Sequence, residues 1–62
     1  MIDAPKIGQI VRLNSPKSLD HGHKFEVVAV YPGAKLADIQ RPGDWKVCTE
    51  AVSKLMHPDW LP

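Results

Sequence analysis

The sequence has little cysteine and no long apolar run, and each shortage excludes a class of protein. Its 62 residues include a single cysteine, Cys48, so an internal disulfide framework is excluded and a reducing, cytoplasmic setting is expected. No apolar run approaches the roughly 18 residues that a membrane-spanning helix needs. Residues 1–10 contain a proline and charges where a signal peptide requires a continuous apolar region, so we expect no signal peptide.

The sequence also has no excess of charge of one sign. Its formal net charge is +1, and acidic and basic residues alternate along the chain. Nucleic-acid-binding proteins usually show a basic cluster, because neutralising phosphates supplies most of their non-specific affinity. This sequence has no such cluster, so nucleic-acid binding is only an alternative function. It would use Tyr31 for base stacking and the basic residues Lys6, Arg12, Lys17, Lys24 and Lys46.

Composition predicts an ordinary globular domain. The hydrophobic fraction is 44% and the charged fraction 24%, as in soluble folded proteins. A chain of this length is close to the lower limit for folding without disulfides or metal. We expect one domain over residues 1–62, with residues 1–5 and 57–62 as terminal tails.

Two segments in the first half of the chain alternate between apolar and polar residues, as strands do. In Lys6–Leu13 this alternation places on one face Ile7, Val11 and Leu13. In Lys24–Tyr31 it places on one face Phe25, Val27, Ala29 and Tyr31. The polar segment between these two strands is expected to form a loop.

The second half of the chain is organised around a tight turn. Arg41-Pro42-Gly43-Asp44 has proline at the second position and glycine at the third, which favours a β-hairpin between strands at Leu36–Gln40 and Trp45–Thr49. In the second of these strands Trp45 and Val47 are expected to point inward, and Cys48 is interpreted as a small buried apolar side chain. Thr49 can cap one or two helical turns that pack on the core through Val52, Leu55 and Met56.

This order of elements resembles a small Src-homology-3-like barrel. The segments that carry the resemblance are Ile7–Leu13, Gly22–Val27, Val47–Thr49 and Ala51–Leu55. The resemblance implies an all-β fold of about five short strands, with one short helical turn near the C-terminus. Such barrels serve peptide-binding modules, nucleic-acid-binding domains and the type II dihydrofolate reductases, so the fold alone does not select a function.

The motif His21-Gly22-His23 precedes the most strand-like segment and contains residue types that can bind a metal. In extended backbone the two histidines would lie on one side with Cα atoms about 6 to 7 Å apart, and Asp20 could add a third ligand. Structural zinc sites normally contain CxxC or paired Cys/His clusters, which this sequence lacks. We expect no metal and no cofactor, and interpret both histidines as loop residues that flank a flexible glycine.

Catalysis has few candidate residues. Cys48 with His57 or His21 could form a nucleophile and base pair. A barrel of this size fills its interior with side chains, so an enzyme would need a site between subunits of an oligomer. We predict that the chain is not an enzyme, with a subunit of an oligomeric enzyme as a second alternative.

Large side chains with a polar group are the best candidates for a binding surface. Tyr31 and Trp45 lie on predicted inward faces, which favours the core, while Trp60 either folds back over one end of the barrel or docks on a partner. The predicted function is a small non-catalytic module that binds a partner protein or a second copy. It would use the hairpin 41–46, the loop 14–23 and the tail, with the candidate site residues Trp60, Trp45, Tyr31, Arg41, His21 and His23.

Overall fold

A computed structural model describes residues 2–62 and contains five strands. These are β1 (Ile10–Leu13), β2 (Lys24–Tyr31), β3 (Leu36–Gln40), β4 (Val47–Ala51) and β5 (Leu55–Met56). Single turns of 3-10 helix follow β2 at Pro32–Ala34 and β4 at Val52–Lys54. The all-β class, the five short strands and the helical turn near the C-terminus are therefore confirmed. No helix within residues 2–62 has the length and apolar character needed to cross a membrane.

The strands form one antiparallel sheet in the order β4-β3-β2-β1-β5, so β4 and β5 are its edges. In a flat sheet four strand spacings of about 4.8 Å would separate these edges by roughly 19 Å. Only the three-residue turn Val52–Lys54 connects them. Because so short a connection cannot cross that distance, the sheet must curl until its edges approach one another.

The core lies on one face of this curled sheet. Its buried side chains come from the N-terminal segment and from strands β1, β2, β3 and β5: Ile2, Val11, Leu13, Phe25, Val27, Ala37, Ile39 and Leu55. Val30 and Val52 pack against this cluster while remaining partly accessible. The alternation expected in β1 and in the first half of β2 is therefore present.

A β-bulge at Val28 changes the second half of β2. Val27 pairs with Ile39 and Ala29 with the next residue of β3, Asp38, so Val28 is an extra residue on β2. An extra residue reverses the alternation beyond it. Val30 therefore turns toward the core, and Tyr31 is exposed. The expectation that Tyr31 points inward is wrong for this reason.

The first strand begins later than predicted. A turn precedes it, in which the Gln9 amide donates to the Lys6 carbonyl and Gly8 has a φ of +92°. This turn removes Ile7 from the sheet and exposes it. The expectation that Ile7 shares the buried face is wrong.

Strand β4 also begins later than predicted, and residues 45–49 do not take the positions that the sequence led us to expect. The Lys46 amide donates to Asp44 Oδ1, so the chain rejoins the ladder only at Val47, and Trp45 stays in the loop with an exposed ring. Val47 pairs with the outward-facing Gln40, and it too is exposed. Cys48 pairs with Ile39 at the sheet edge, where its thiol is exposed rather than buried. Thr49 lies within β4 and does not cap the following turn.

Candidate functional site

The loop 14–23 is held by a series of short-range hydrogen bonds. Backbone amides of Ser18, His21 and His23 each donate to a carbonyl three residues earlier. The Ser15 amide donates to His21 Nδ1 over 3.0 Å, so that ring nitrogen is the acceptor. His21 therefore closes the loop from within.

His23 joins this loop to the hairpin. Arg41 Nη2 lies 2.8 Å from His23 Nδ1, and a guanidinium can only donate, so His23 Nδ1 is the acceptor. The same guanidinium lies 3.5 Å from Asp20 Oδ1 through its Nη1 atom. Arg41 therefore bridges the hairpin to both ends of the turn that contains His21.

The C-terminal segment folds back onto the same loop. The rings of Trp60 and His21 meet edge to face, with centroids 5.7 Å apart. Arg12 Nε donates to the Pro58 carbonyl and Arg12 Nη1 to the Gly22 carbonyl, both over 2.7 Å. Of the two positions expected for Trp60, the structure shows the one over the end of the sheet.

These contacts create one surface, which we call the end face and define as residues 14–23, 41–46 and 57–62. It holds three strongly exposed apolar side chains, Leu19 at 99%, Trp45 at 84% and Leu61 at 80%. One lies on each of its three segments. Isolated apolar residues are common on surfaces. Here a large one lies on each of three segments that Arg41, Arg12 and the Trp60–His21 ring contact tie together, so the end face is the candidate interaction surface.

The end face contains five of the six candidate residues chosen from the sequence: Trp60, Trp45, Arg41, His21 and His23. Tyr31 lies at the other end of β2, next to the 3-10 turn Pro32–Ala34. The candidate residues chosen from the sequence did not include Leu19 or Leu61. Leu19 is the one large apolar residue in the polar segment 14–23, and that contrast was the available signal.

Tyr31 belongs to a separate hydrogen-bonded group on the outer face of the sheet. Asp38 accepts from the Thr49 hydroxyl over 2.5 Å and from the Tyr31 hydroxyl over 2.6 Å. The bond from Thr49, then that from Tyr31, lowers the pKa of Asp38. The bond to Asp38 and its negative charge raise the pKa of Tyr31. This arrangement links β2, β3 and β4 across their outer face.

A groove of about 650 Å³ opens at the end of the molecule opposite the end face. Its apolar wall includes Ile2, Val30, Leu36 and Val52, and its ionisable side chains are those of Asp3 and Lys35. The volume is within the range of ligand sites, but the groove is open at the surface and is not a cavity inside the sheet. Cys48, His21 and His57 do not line this groove.

The described residues contain no group of three His, Cys, Asp or Glu side chains placed to hold a metal ion. Of the basic residues considered for nucleic-acid binding, Arg12 is engaged with two backbone carbonyls of its own chain. Comparisons of the chain with protein-family models, with curated proteins and with solved structures found no match.

Proposed function

We propose that the protein is a small non-catalytic module that binds a partner protein through the end face. The observation that carries this proposal is the exposure of Leu19, Trp45 and Leu61 on three segments held together by Arg41, Arg12 and His21. Tryptophan and arginine are the residues most enriched among those that dominate binding energy at interfaces. Trp45 is the expected anchor of the contact.

The hydrogen bonds of the end face support the proposal energetically. Binding through flexible loops costs conformational entropy, about 0.5–1.5 kcal/mol for each immobilised side chain. Here the loop 14–23 is already ordered by its internal turns and by the Ser15 to His21 bond. A partner would therefore contact a surface that is largely formed before binding.

The test is site-specific photocrosslinking in the native host. A photoreactive phenylalanine analogue replaces Trp45 in one strain and Ile7 in a control strain. Ile7 is the matched control because it is a large apolar side chain, 68% exposed, outside the end face. We expect a discrete protein adduct from position 45 and none from position 7.

The captured protein is then purified and titrated against the wild type and two variants. We expect Trp45→Ala to weaken its binding by at least about tenfold, as loss of an interface anchor does, and Ile7→Ala to change it by less than about twofold. Adducts from position 7 alone, or equal weakening by both variants, would contradict the proposal.

A further inference from the structure

The two edges of the sheet differ in how they are protected. Natural sheets protect their edges with short strands, proline, bulges or a covering segment, because unpaired backbone groups otherwise recruit another strand. β5 is two residues long, the Ile2 amide donates to its Leu55 carbonyl, and Pro58 follows closely. That edge is therefore covered and short.

Within the part of the chain that the structure describes, β4 has no proline, bulge or covering segment, and its one charged residue is Glu50. It is five residues long, contains no proline and pairs with β3 in an uninterrupted register from Gln40↔Val47 to Leu36↔Ala51. The backbone of residues 47–51 makes no hydrogen bond outside that ladder among residues 2–62. Val47, Cys48 and Thr49 are all exposed. Its outer backbone groups are free to pair with another strand.

The charges along this edge are complementary to a second copy of the same edge. Residues two apart share one side of a strand, so Glu50 lies on the same side as Cys48. Lys46 directly precedes β4, two positions before Cys48. In an antiparallel pair that is centred on Cys48 and extends one residue beyond the start of β4, Lys46 of each copy lies opposite Glu50 of the other. Opposite charges in this position stabilise a pair of strands, and like charges destabilise it.

We infer that β4 is a homodimerisation edge, at which two copies pair antiparallel about a two-fold axis at Cys48 and form a continuous ten-stranded sheet from two five-stranded ones. Such an isologous contact closes on itself, so it limits assembly to a dimer. Glu50 Oε1 already lies 3.8 Å from Lys54 Nζ, and Lys46 of the second copy joins this ion pair. The contact uses the edge of β4, and the only end-face residue in it is Lys46.

This register places the Cys48 residues of the two copies directly opposite one another. Directly opposite residues of antiparallel strands have Cα atoms about 4.5 to 5.5 Å apart, and disulfides span about 4.4 to 6.8 Å. The two Cys48 thiols of the dimer therefore lie within reach of each other. With diamide as oxidant, the two thiols give up two protons and two electrons to the reagent and form one disulfide.

The test combines charge exchange with sedimentation equilibrium on the full chain. Lys46→Glu and Glu50→Lys each place like charges opposite one another at two symmetric positions, and we expect each to weaken dimerisation by about tenfold or more. The double variant Lys46→Glu/Glu50→Lys restores opposite charges, and we expect dimerisation near that of the wild type. Circular dichroism on each variant establishes that it is folded.

Disulfide formation between the two Cys48 thiols supplies a second readout of the dimer, and the wild type gives it without any substitution. We expect diamide to convert the wild type to a covalent dimer faster than either single charge variant, with the double variant again near the wild type. Monomeric wild type at its solubility limit would overturn the proposal. So would a dimer that neither single variant weakens, or a folded double variant that stays monomeric. Glu50→Lys lies outside the end face and leaves Trp45 and Leu61 intact, so its outcome is separate from the test of the end face.

Discussion

Among the four glycines, Gly22 is the one at which an added methyl group should lower the stability of the fold most. Its φ is +82°, and a Cβ atom placed there would lie 2.7 Å from Pro62 Cγ. Its amide and its carbonyl are both engaged, with Leu13 and with Arg12. Gly22→Ala therefore adds backbone strain and a steric clash at the point where the C-terminal segment packs on the loop.

The structure provides a way to separate these two effects. Gly43 has a similar φ of +84°, but a Cβ atom there would meet nothing within 4 Å. Gly43→Ala should therefore cost only the backbone strain, about 1 kcal/mol. We expect Gly22→Ala to cost about 2 kcal/mol or more, since the clash with Pro62 adds to the strain. That is a large share of the roughly 3–5 kcal/mol available to a domain of this size.

Urea unfolding of four proteins measures the effect: the wild type, Gly22→Ala, Gly43→Ala and Gly22→Ala/Pro62→Ala. Thermal unfolding of the same proteins is a second measurement, in which each kcal/mol of lost stability should lower the melting temperature by roughly 4–8 °C. Removing the Pro62 ring should bring the double variant back to the level of Gly43→Ala. Equal stability of the two single variants would refute the reasoning, because it would mean that the C-terminal segment exerts no steric constraint on Gly22.

Two further predictions concern contacts that join separate parts of the chain. Arg12→Lys replaces the two donor atoms Nε and Nη1 by one ammonium nitrogen, which cannot reproduce both bonds to the Pro58 and Gly22 carbonyls in this geometry. We expect a loss of about 1–2 kcal/mol and greater quenching of Trp60 fluorescence by an added quencher, measured in a Trp45→Phe background. Unchanged quenching would contradict it. Tyr31 is the only tyrosine, so tyrosinate absorbance should show it ionising at a higher pH in the wild type than in Asp38→Asn, and identical titrations would contradict the assigned hydrogen bond. Because folding raises the pKa of Tyr31, its stabilising contribution is present below the ordinary value of about 10 and is lost as pH rises through the folded value. Folding lowers the pKa of Asp38, so its contribution is present above the unfolded value and is lost as pH falls through the folded one.

Five of the six residues chosen from the sequence as a candidate site lie on one end face. The sequence could not show that His23 and Arg41 meet, because they are 18 positions apart and come together only when β2 pairs with β3. It also could not separate the site from Tyr31, which the second half of β2 places at the other end of the molecule. Proximity of this kind depends on sheet topology and not on local pattern.

Local pattern was sufficient to determine the all-β class, the bounds of β2 and β3 and the turn at residues 41–44, because side-chain alternation and turn residues act over a few positions. It was insufficient where a bulge or a side-chain hydrogen bond changed the expected alternation. The bulge at Val28 reversed the direction of Tyr31, and the Lys46 to Asp44 bond kept Trp45 out of β4. For His21-Gly22-His23 the sequence indicated a loop that turns into a strand. Only the tertiary structure showed that Ser15, Arg41, Trp60 and Pro62 all converge on those three residues, because contacts between distant segments form only when the sheet brings them together.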